Sequence, residues 1–414
     1  MGIPAMPPST VVILADDLTS AADGAAPFRR SGHRALVLFD GGGGSAGSAR
    51  DAGSAGSVSS AEDAGSAEDG AGAWGAEDGA GAAYEGGVTA VDLGTRVVDV
   101  TEADARTERA ARAYAGADLL LKTVDSTLRG HVAAELRAAL AGSGRRAAIL
   151  APAFPGEGRT TVRGVQYVRG VRVDASEFAR DPAHPVRTAD LARLLPEALV
   201  VEPDRLADLA GLVEGGVGGP GRVLACSAAT EADLDAVVAA VPRPEDVLWA
   251  GSPGLAGALA RRHTRHPADP LPELPAARRP LAVVGSANPA SRRQLAALRH
   301  ATSGPAVAAL HTPEERDHDP AVPLRRLVEE VTRTTAAGLA DGLVLTGGET
   351  AAAVLGALGA TGIELHDEPE PGIARGTLHG PAVPRLPVLV KAGGFGDDGT
   401  LVRLHALLTR GAHR

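Results

Sequence analysis

The sequence predicts an α/β protein made of two α/β domains, each with a mainly parallel sheet. Three observations predict it. Apolar runs of strand length alternate along the chain with apolar residues at helical spacing. A stretch rich in Pro, Arg and His, residues 263–280, separates two such series. Polar and glycine clusters fall where a strand-like run gives way to a helical pattern, and open α/β sheets bind ligands at such junctions. At 414 residues the chain is long enough for two cores.

In the first series the strand-like runs are 10–15, 35–39, 88–92, 118–121, 147–150, 198–201, 223–226 and 247–250. Helical spacing is read over 20–30, 102–115, 132–140, 206–213, 231–238 and 255–262. Alternation of this kind implies right-handed crossovers that cover both faces of a sheet. The second series has strands at 281–284, 306–310, 342–345 and 388–391, and helices at 291–299, 323–335, 350–358 and 400–408. Residues 362–380 read as antiparallel strands and turns. The domains are therefore expected at 1–262 and 281–414, joined by the linker 263–280. Residues 41–87 are almost wholly Gly, Ala, Ser, Asp and Glu. They cannot bury enough apolar surface to offset their ordering entropy, so they read as a disordered insertion in a surface loop.

Composition removes several function classes. Aromatic residues make up 2% of the chain, so the core is aliphatic and base-stacking platforms are disfavoured. The insertion carries eight acids against one base, or −7, leaving −3 of the net −10 for the rest. No basic stripe suits DNA or RNA. Cys226 is the single cysteine and ends the run Val223-Leu224-Ala225. It can form no internal disulfide, which fits a reducing compartment, and it reads as a small buried hydrophobe. No secretory leader and no apolar run of membrane-spanning length is evident. The expectation is a soluble cytoplasmic protein with small-molecule ligands, without nucleic acid or membrane partners. A homo-oligomer is left open.

Four constellations carry chemistry. In Ala15-Asp16-Asp17-Leu18-Thr19-Ser20-Ala21-Ala22-Asp23 an apolar strand runs into two adjacent carboxylates. One acid would serve as a helix cap. A pair can also bind a polyol or metal, or take a hydroxyl proton. Lys122-Thr123-Val124-Asp125-Ser126-Thr127-Leu128-Arg129-Gly130 sets an ammonium, a carboxylate, hydroxyls and a guanidinium at one strand-to-helix junction. Asp125 is a candidate base, Arg129 a candidate carboxylate clamp and Lys122 a candidate charge neutraliser; the alternative is a buried Lys–Asp pair with Arg129 on the surface. In Ala151-Pro152-Ala153-Phe154-Pro155-Gly156-Glu157-Gly158-Arg159-Thr160-Thr161, Arg159 with Thr160 can grip an anion. In the second series Ser286, Gly347, Gly348, Glu349, Thr350, Gly393 and Gly394 lie on three small-residue turns that follow strands. Free backbone N–H groups near helix N-termini suit phosphate, so the three turns suggest one nucleotide pocket. A Walker A loop, a GxGxxG opening a βαβ unit, a GxSxG elbow and a metal-spaced His/Cys cluster are all missing from the sequence.

Taken in order, these blocks resemble the four-carbon acid sugar kinase family. The resemblance also takes in Glu-Phe-Ala-Arg-Asp-Pro from Glu177, and it covers nearly everything outside 41–87. Ser20 stands where the family commonly has Gly, and Asn288 where a second hydroxyl is common. The resemblance implies an N-terminal sugar-acid-binding domain, a C-terminal nucleotide-binding domain, and ATP-dependent phosphorylation of the terminal hydroxyl of a tetronic acid with Mg²⁺. The Asp-Ser-Thr-Leu-Arg-Gly block looks more like threonate and erythronate kinases than 3-oxo-tetronate kinases. By motif position, Asp17 or Asp125 would take the hydroxyl proton. Asp16, Lys122, Ser126, Arg129, Gly130, Arg159 and Thr160 would meet the sugar acid, and the three C-terminal turns the ATP. Closure of the two domains would exclude water. The rivals are a non-catalytic sugar-acid sensor, which would not need a phosphate cradle, and a dehydrogenase or aldolase, for which no fingerprint stands.

Overall fold

The computed structural model describes residues 10–39, 87–181, 184–215, 221–264, 273–286, 288–301, 309–313, 321–383 and 385–410. The predicted insertion lies outside the described residues except for Gly87, as do residues 265–272 of the linker.

The first half begins β1 (Val11–Ala15), α1 (Leu18–Arg30), β2 (Ala35–Phe39), β3 (Val88–Asp92), α2 (Val100–Ala113), β4 (Leu119–Thr123), α3 (Val132–Ser143) and β5 (Ala147–Ala151). A small antiparallel sheet follows, β6 (Arg159–Val162), β7 (Val165–Val168) and β8 (Val171–Arg172). The half closes with α4 (Leu191–Leu194), β9 (Leu199–Val201), α5 (Leu209–Glu214), β10 (Arg222–Cys226), α6 (Glu231–Ala239), β11 (Val247–Gly251) and α7 (Pro253–Arg262). The second half is β12 (Pro280–Val284), α8 (Pro289–Ala301), β13 (Ala309–His311), α9 (Ala321–Ala336), β14 (Gly342–Thr346), α10 (Gly348–Ala357), β15 (Gly362–Glu370), β16 (Ile373–His379), β17 (Pro387–Lys391) and α11 (Thr400–Arg410).

The predicted strands and helices recur within a few residues of their expected bounds. Two features differ. The small sheet over 159–172 escaped the periodicity because Arg163, Gly164, Arg169 and Gly170 turn it at positive φ every few residues. The larger difference is that the halves do not carry separate sheets. One 14-stranded sheet runs β13-β12-β14-β17-β16-β15-β2-β3-β1-β4-β11-β5-β10-β9 through both. Its middle is the antiparallel pairing of β15 with β2, from Gly362 opposite Leu38 to Leu365 opposite Ala35. Each half would otherwise leave an unpaired edge there. Arg34 Nε donates to Glu364 Oε1 at 3.1 Å and Arg29 Nε to the His366 carbonyl at 3.2 Å, tying the seam from the side chains.

Alternation along the strands decides what each helix covers. Val11, Ile13, Leu119 and Leu121 face one buried layer with α1, α6, α7, α9 and α10, and this layer is continuous across both halves. Val12, Leu14 and Leu120 face α3 on the other side, while α8 and α11 cover that side of the second half. Cys226 lies in the continuous layer; burial pushes its thiol up to about 12, so it is inert there, as the sequence suggested. Among the described residues no helix is long and apolar enough to cross a membrane.

The seam allows no added carbon at Gly362, where a Cβ would sit 2.6 Å from the Val37 carbonyl oxygen. Gly362→Ala is expected to lower unfolding stability by about 1–3 kcal/mol, the usual cost of overpacking, in denaturant titration.

Candidate active site

β1, β3, β4 and β5 end at the same side of the sheet, and their polar C-terminal turns meet there. At the end of β1, Asp17 caps α1: its Oδ1 accepts from Ser20 N at 2.7 Å and from Thr19 Oγ1 at 2.8 Å. The adjoining Asp16 points the other way and is buried. Arg96, on the turn after β3, donates from Nε to Asp16 Oδ2 at 2.5 Å. Its other nitrogens lie 3.6 Å from Asp17 Oδ2 and 3.6 Å from Asp125 Oδ2. One guanidinium thus joins three carboxylates from two strand ends. Burial alone would lower its pKa, but those carboxylates raise it well above the ordinary value. Burial would likewise raise Asp16, yet Arg96 and Lys122 outweigh it and hold the carboxyl below its usual value.

The turn after β4 is knotted by its own side chains. Asp125 Oδ1 accepts from Thr127 N at 2.7 Å and from the Thr127 hydroxyl, while Arg129 Nη2 reaches Asp125 Oδ2 at 2.6 Å. Leu128 takes φ of +62°, a strained conformation for a branched side chain. Burial pushes Asp125 up, but Arg129 and Arg96 hold it far below the ordinary carboxylate range, which makes it a poor proton acceptor. Arg129 also lies 3.6 Å from Asp181 and stacks over the Phe178 ring, 5.3 Å from its centroid. Arg159, the first residue of β6, donates from Nη1 to the carbonyl of Glu157 on the turn before it at 2.7 Å, and lies 3.2 Å from Glu157 Oε2. Its Nε is buried with no partner among the described residues.

The second half closes the cleft with three turns that touch one another. A Cβ on Gly393 would sit 2.3 Å from Ser286 Oγ, and one on Gly347 would lie 3.5 Å from both Ser286 Cβ and Thr350 Oγ1. Lys391, fully buried, donates to the carbonyls of Ala392 at 2.8 Å and Phe395 at 3.0 Å. Ser291 Oγ takes the Gly393 carbonyl at 2.6 Å, and Gln294 Nε2 that of Phe395 at 2.9 Å. With these carbonyls turned inward, the glycine turn offers its N–H groups to an anion. The halves meet directly: a Cβ on Gly348 would lie 3.5 Å from Thr19 Oγ1 and 3.8 Å from Asp17 Oδ2. The cleft between them holds about 600 Å³, within the range of small-molecule sites. Its lining is drawn from both halves.

Of the residues expected here, Asp17, Asp125, Ser126, Arg129, Arg159, Gly348, Gly393 and Gly394 line the cleft. Ser286, Gly347 and Thr350 stand just behind it and shape the turns, and Glu349 is exposed beside them. Four expectations need correction. Lys122 lies within β4, and strand alternation turns it under α3, where its Nζ meets buried Glu135 at 3.0 Å. Asp16 is spent on Arg96. Gly130 works by what it lacks: at φ of +86° its Cβ would lie 3.3 Å from Asp16 Oδ2 and 3.4 Å from Arg96 Nε. Thr160 sits in β6 and is not among the cleft residues. The sequence reading missed Arg96 and gave Asp23 and Glu157 no role. Arg96 follows the end of β3 as the other motifs follow β1 and β4, so the same strand-end rule would have found it.

The model of a sugar-binding N-terminal domain matches residues 11–259, and that of a nucleotide-binding C-terminal domain matches residues 319–401. A D-threonate kinase of Bordetella bronchiseptica is 32% identical over 94% of this chain and 95% of its own length. A D-erythronate kinase of Heliobacterium modesticaldum is 28% identical over 78% of this chain and 88% of its own. A solved structure from Salmonella typhimurium LT2 shares the fold, with a TM-score of 0.69 over 95% of this chain and 98% of that one at 17% identity.

The Lys122–Glu135 pair is structural by this geometry. Lys122→Ala, which strands a buried carboxylate, should cost about 3–5 kcal/mol. Lys122→Met with Glu135→Leu should recover most of that loss in the same denaturant titration, with the sugar-acid KM unchanged relative to the wild type.

Proposed function

This chain belongs to the four-carbon acid sugar kinase family, and we propose that it phosphorylates the terminal hydroxyl of D-threonate or D-erythronate with ATP. One observation carries the reading. The carboxylate of Asp17, at the tip of the first strand, stands against Gly348 at the N-terminus of α10, so an acceptor hydroxyl and a phosphate chain can meet there.

The chemistry is direct in-line transfer, which needs positioning and charge neutralisation more than covalent help. The triphosphate lies along Ser286 and Asn288 and the turns at 347–350 and 392–396, its charge met by backbone N–H groups and the α10 dipole. Mg²⁺ enters with the nucleotide as MgATP; among the described residues no three His, Cys, Asp or Glu side chains converge into a cage for it. The substrate carboxylate pairs with Arg159, which lines the cleft and meets one carboxylate, Glu157, among the described residues, more readily than with Arg129, whose guanidinium is engaged by Asp125, Asp181 and Phe178. Asp17 Oδ2 orients the acceptor hydroxyl. Asp125 holds Arg96 and Arg129 in place, and Ser126 offers its hydroxyl to the sugar acid. A sensor without catalysis would have no use for a phosphate cradle built against Asp17.

ADP release, measured with ATP, Mg²⁺ and the D and L forms of threonate and erythronate beside their 3-oxo analogues, tests the reading. Turnover with D-threonate or D-erythronate is expected, and silence with every four-carbon acid overturns it. Asp17→Asn, which loosens the hold on the acceptor hydroxyl, should lower kcat by about 10²-fold. Arg159→Ala should raise the sugar-acid KM by about 10–100-fold, the weight of one charged hydrogen bond, and leave the ATP KM unchanged.

A further inference from the structure

Five carboxylates line the cleft on the first half, and they differ in what holds them. Asp17 is bound by Ser20 N and Thr19 and faces Arg96. Asp125 is bound by Thr127 and Arg129. Glu157 is paired with Arg159. Glu177 is exposed at the rim. Asp23 is half-buried and has no hydrogen bond or ion pair among the described residues. It is the one ionisable side chain of α1 before Arg29. Ser20 and Asp23, three residues apart, share the face of α1 that looks into the cleft, while Leu18, Ala21, Ala22 and Ala25 face the core.

We propose that Asp23 is the catalytic group that takes up the proton released by the acceptor hydroxyl, while Asp17 orients that hydroxyl. The proposal rests on the kinase reading above. In the step, a lone pair of the hydroxyl oxygen forms the bond to the γ-phosphorus. The bond from that phosphorus to its bridging oxygen breaks, and its electron pair leaves on ADP. The hydroxyl proton passes to the Asp23 carboxylate and is later lost to water through the open cleft.

The surroundings favour this carboxylate over its neighbours. The charged groups that act on it are Asp17, at the start of its own helix, and Glu157, on the turn before β6. Among the described residues no cation of the same wall pairs with it: Arg96 meets Asp16, Asp17 and Asp125, Arg159 meets Glu157, and Arg169 is exposed. From β4 the packed neighbour is the Thr123 methyl beside Gly24, and from α7 the cleft residue is Pro253, neither of them charged. Burial, with Asp17 and Glu157 added to it, pushes the Asp23 carboxyl up to about 7. A base of that strength is half-ionised at neutral pH and still gains from accepting a proton. Asp125, held far lower, would release such a proton at once. Because the ionised form is the acceptor, kcat should rise with pH through this region and level off above it.

The test is the pH dependence of kcat for the wild type, Asp23→Asn and Asp23→Glu, with ADP release as readout and melting curves to confirm folding. In the wild type kcat is expected to fall about tenfold per pH unit on the acid side of neutrality. Asp23→Asn should lower kcat by about 10²–10⁴-fold, keep the sugar-acid KM within about threefold, and lose that acid limb. Asp23→Glu should keep the limb. In the wild type without substrates, the infrared C=O band of a protonated carboxyl should disappear as pH rises through neutrality, which holds even if Asp23→Asn does not fold. Asp23→Asn that retains the limb, or a wild type with no such band, overturns the proposal while the kinase reading stands. A wild type that releases no ADP with any four-carbon acid overturns both.

Discussion

The Arg96 guanidinium, sunk among Asp16, Asp17 and Asp125, is the interaction on which the cleft depends. Those carboxylates come from the ends of β1 and β4, and Arg96 itself comes from the end of β3, the strand beside β1 on its other side. Three strand ends are therefore cross-linked by one side chain. None of the three acids could stand so close to the others without it, because like charges at that spacing in a partly buried site would drive at least one to protonate. The turns after β1 and β4 are thereby held in one geometry relative to each other. Gly130 belongs to the same device, since a side-chain carbon there would press on the Asp16–Arg96 contact.

The continuous sheet does for the two halves what Arg96 does for the strand ends. A linker would let them move freely, whereas the β15–β2 pairing fixes their relation by a backbone ladder. Strands are stiff along their length and their register is specified wherever faces are buried, as they are here. The consequence reaches the site. β1 and α1 lie close to the seam, and α1 packs against β15, β16 and α10 as well as against its own half. The helix that carries Asp17 and Asp23 is thus held against the nucleotide half.

Most of the fold was legible in the sequence because α/β elements declare themselves locally. The runs at 10–15 and 342–345 are mostly apolar over strand length, and their helices follow within a few residues. What could not be read is what depends on distant pairing. Nothing within 35–39 says that it meets 362–365, more than three hundred residues away. At the site the motifs say which residues stand near the strand ends, not where their side chains point. Lys122 was placed in the loop, but β4 runs to Thr123, so the two-residue period turns its ammonium toward Glu135. The same period separates Asp16 from Asp17. Arg96 was overlooked because the turn after β3 offers one charged residue rather than a cluster, and its importance lies in partners supplied by other strands.

The charge balance of the cleft bears on how it receives two anions. On the first half Arg96, Arg129 and Arg159 are offset by Asp16, Asp17, Asp125 and Glu157, so the wall is not cationic even before Asp23 is counted. Attraction must then come from directed groups rather than from net charge: the Arg159 guanidinium, the α10 N-terminus, and the N–H groups of a turn whose carbonyls are drawn back onto Lys391, Ser291 and Gln294. Such groups select by position, and they act strongly only where water is excluded. A further consequence concerns Asp23. An anionic sugar acid and a triphosphate brought beside an unpaired carboxylate raise its proton affinity again, as Asp17 and Glu157 already do. The ionised fraction at a given pH is then smaller with both substrates bound than in the free enzyme, so the acid limb of kcat lies at higher pH than that of kcat/KM.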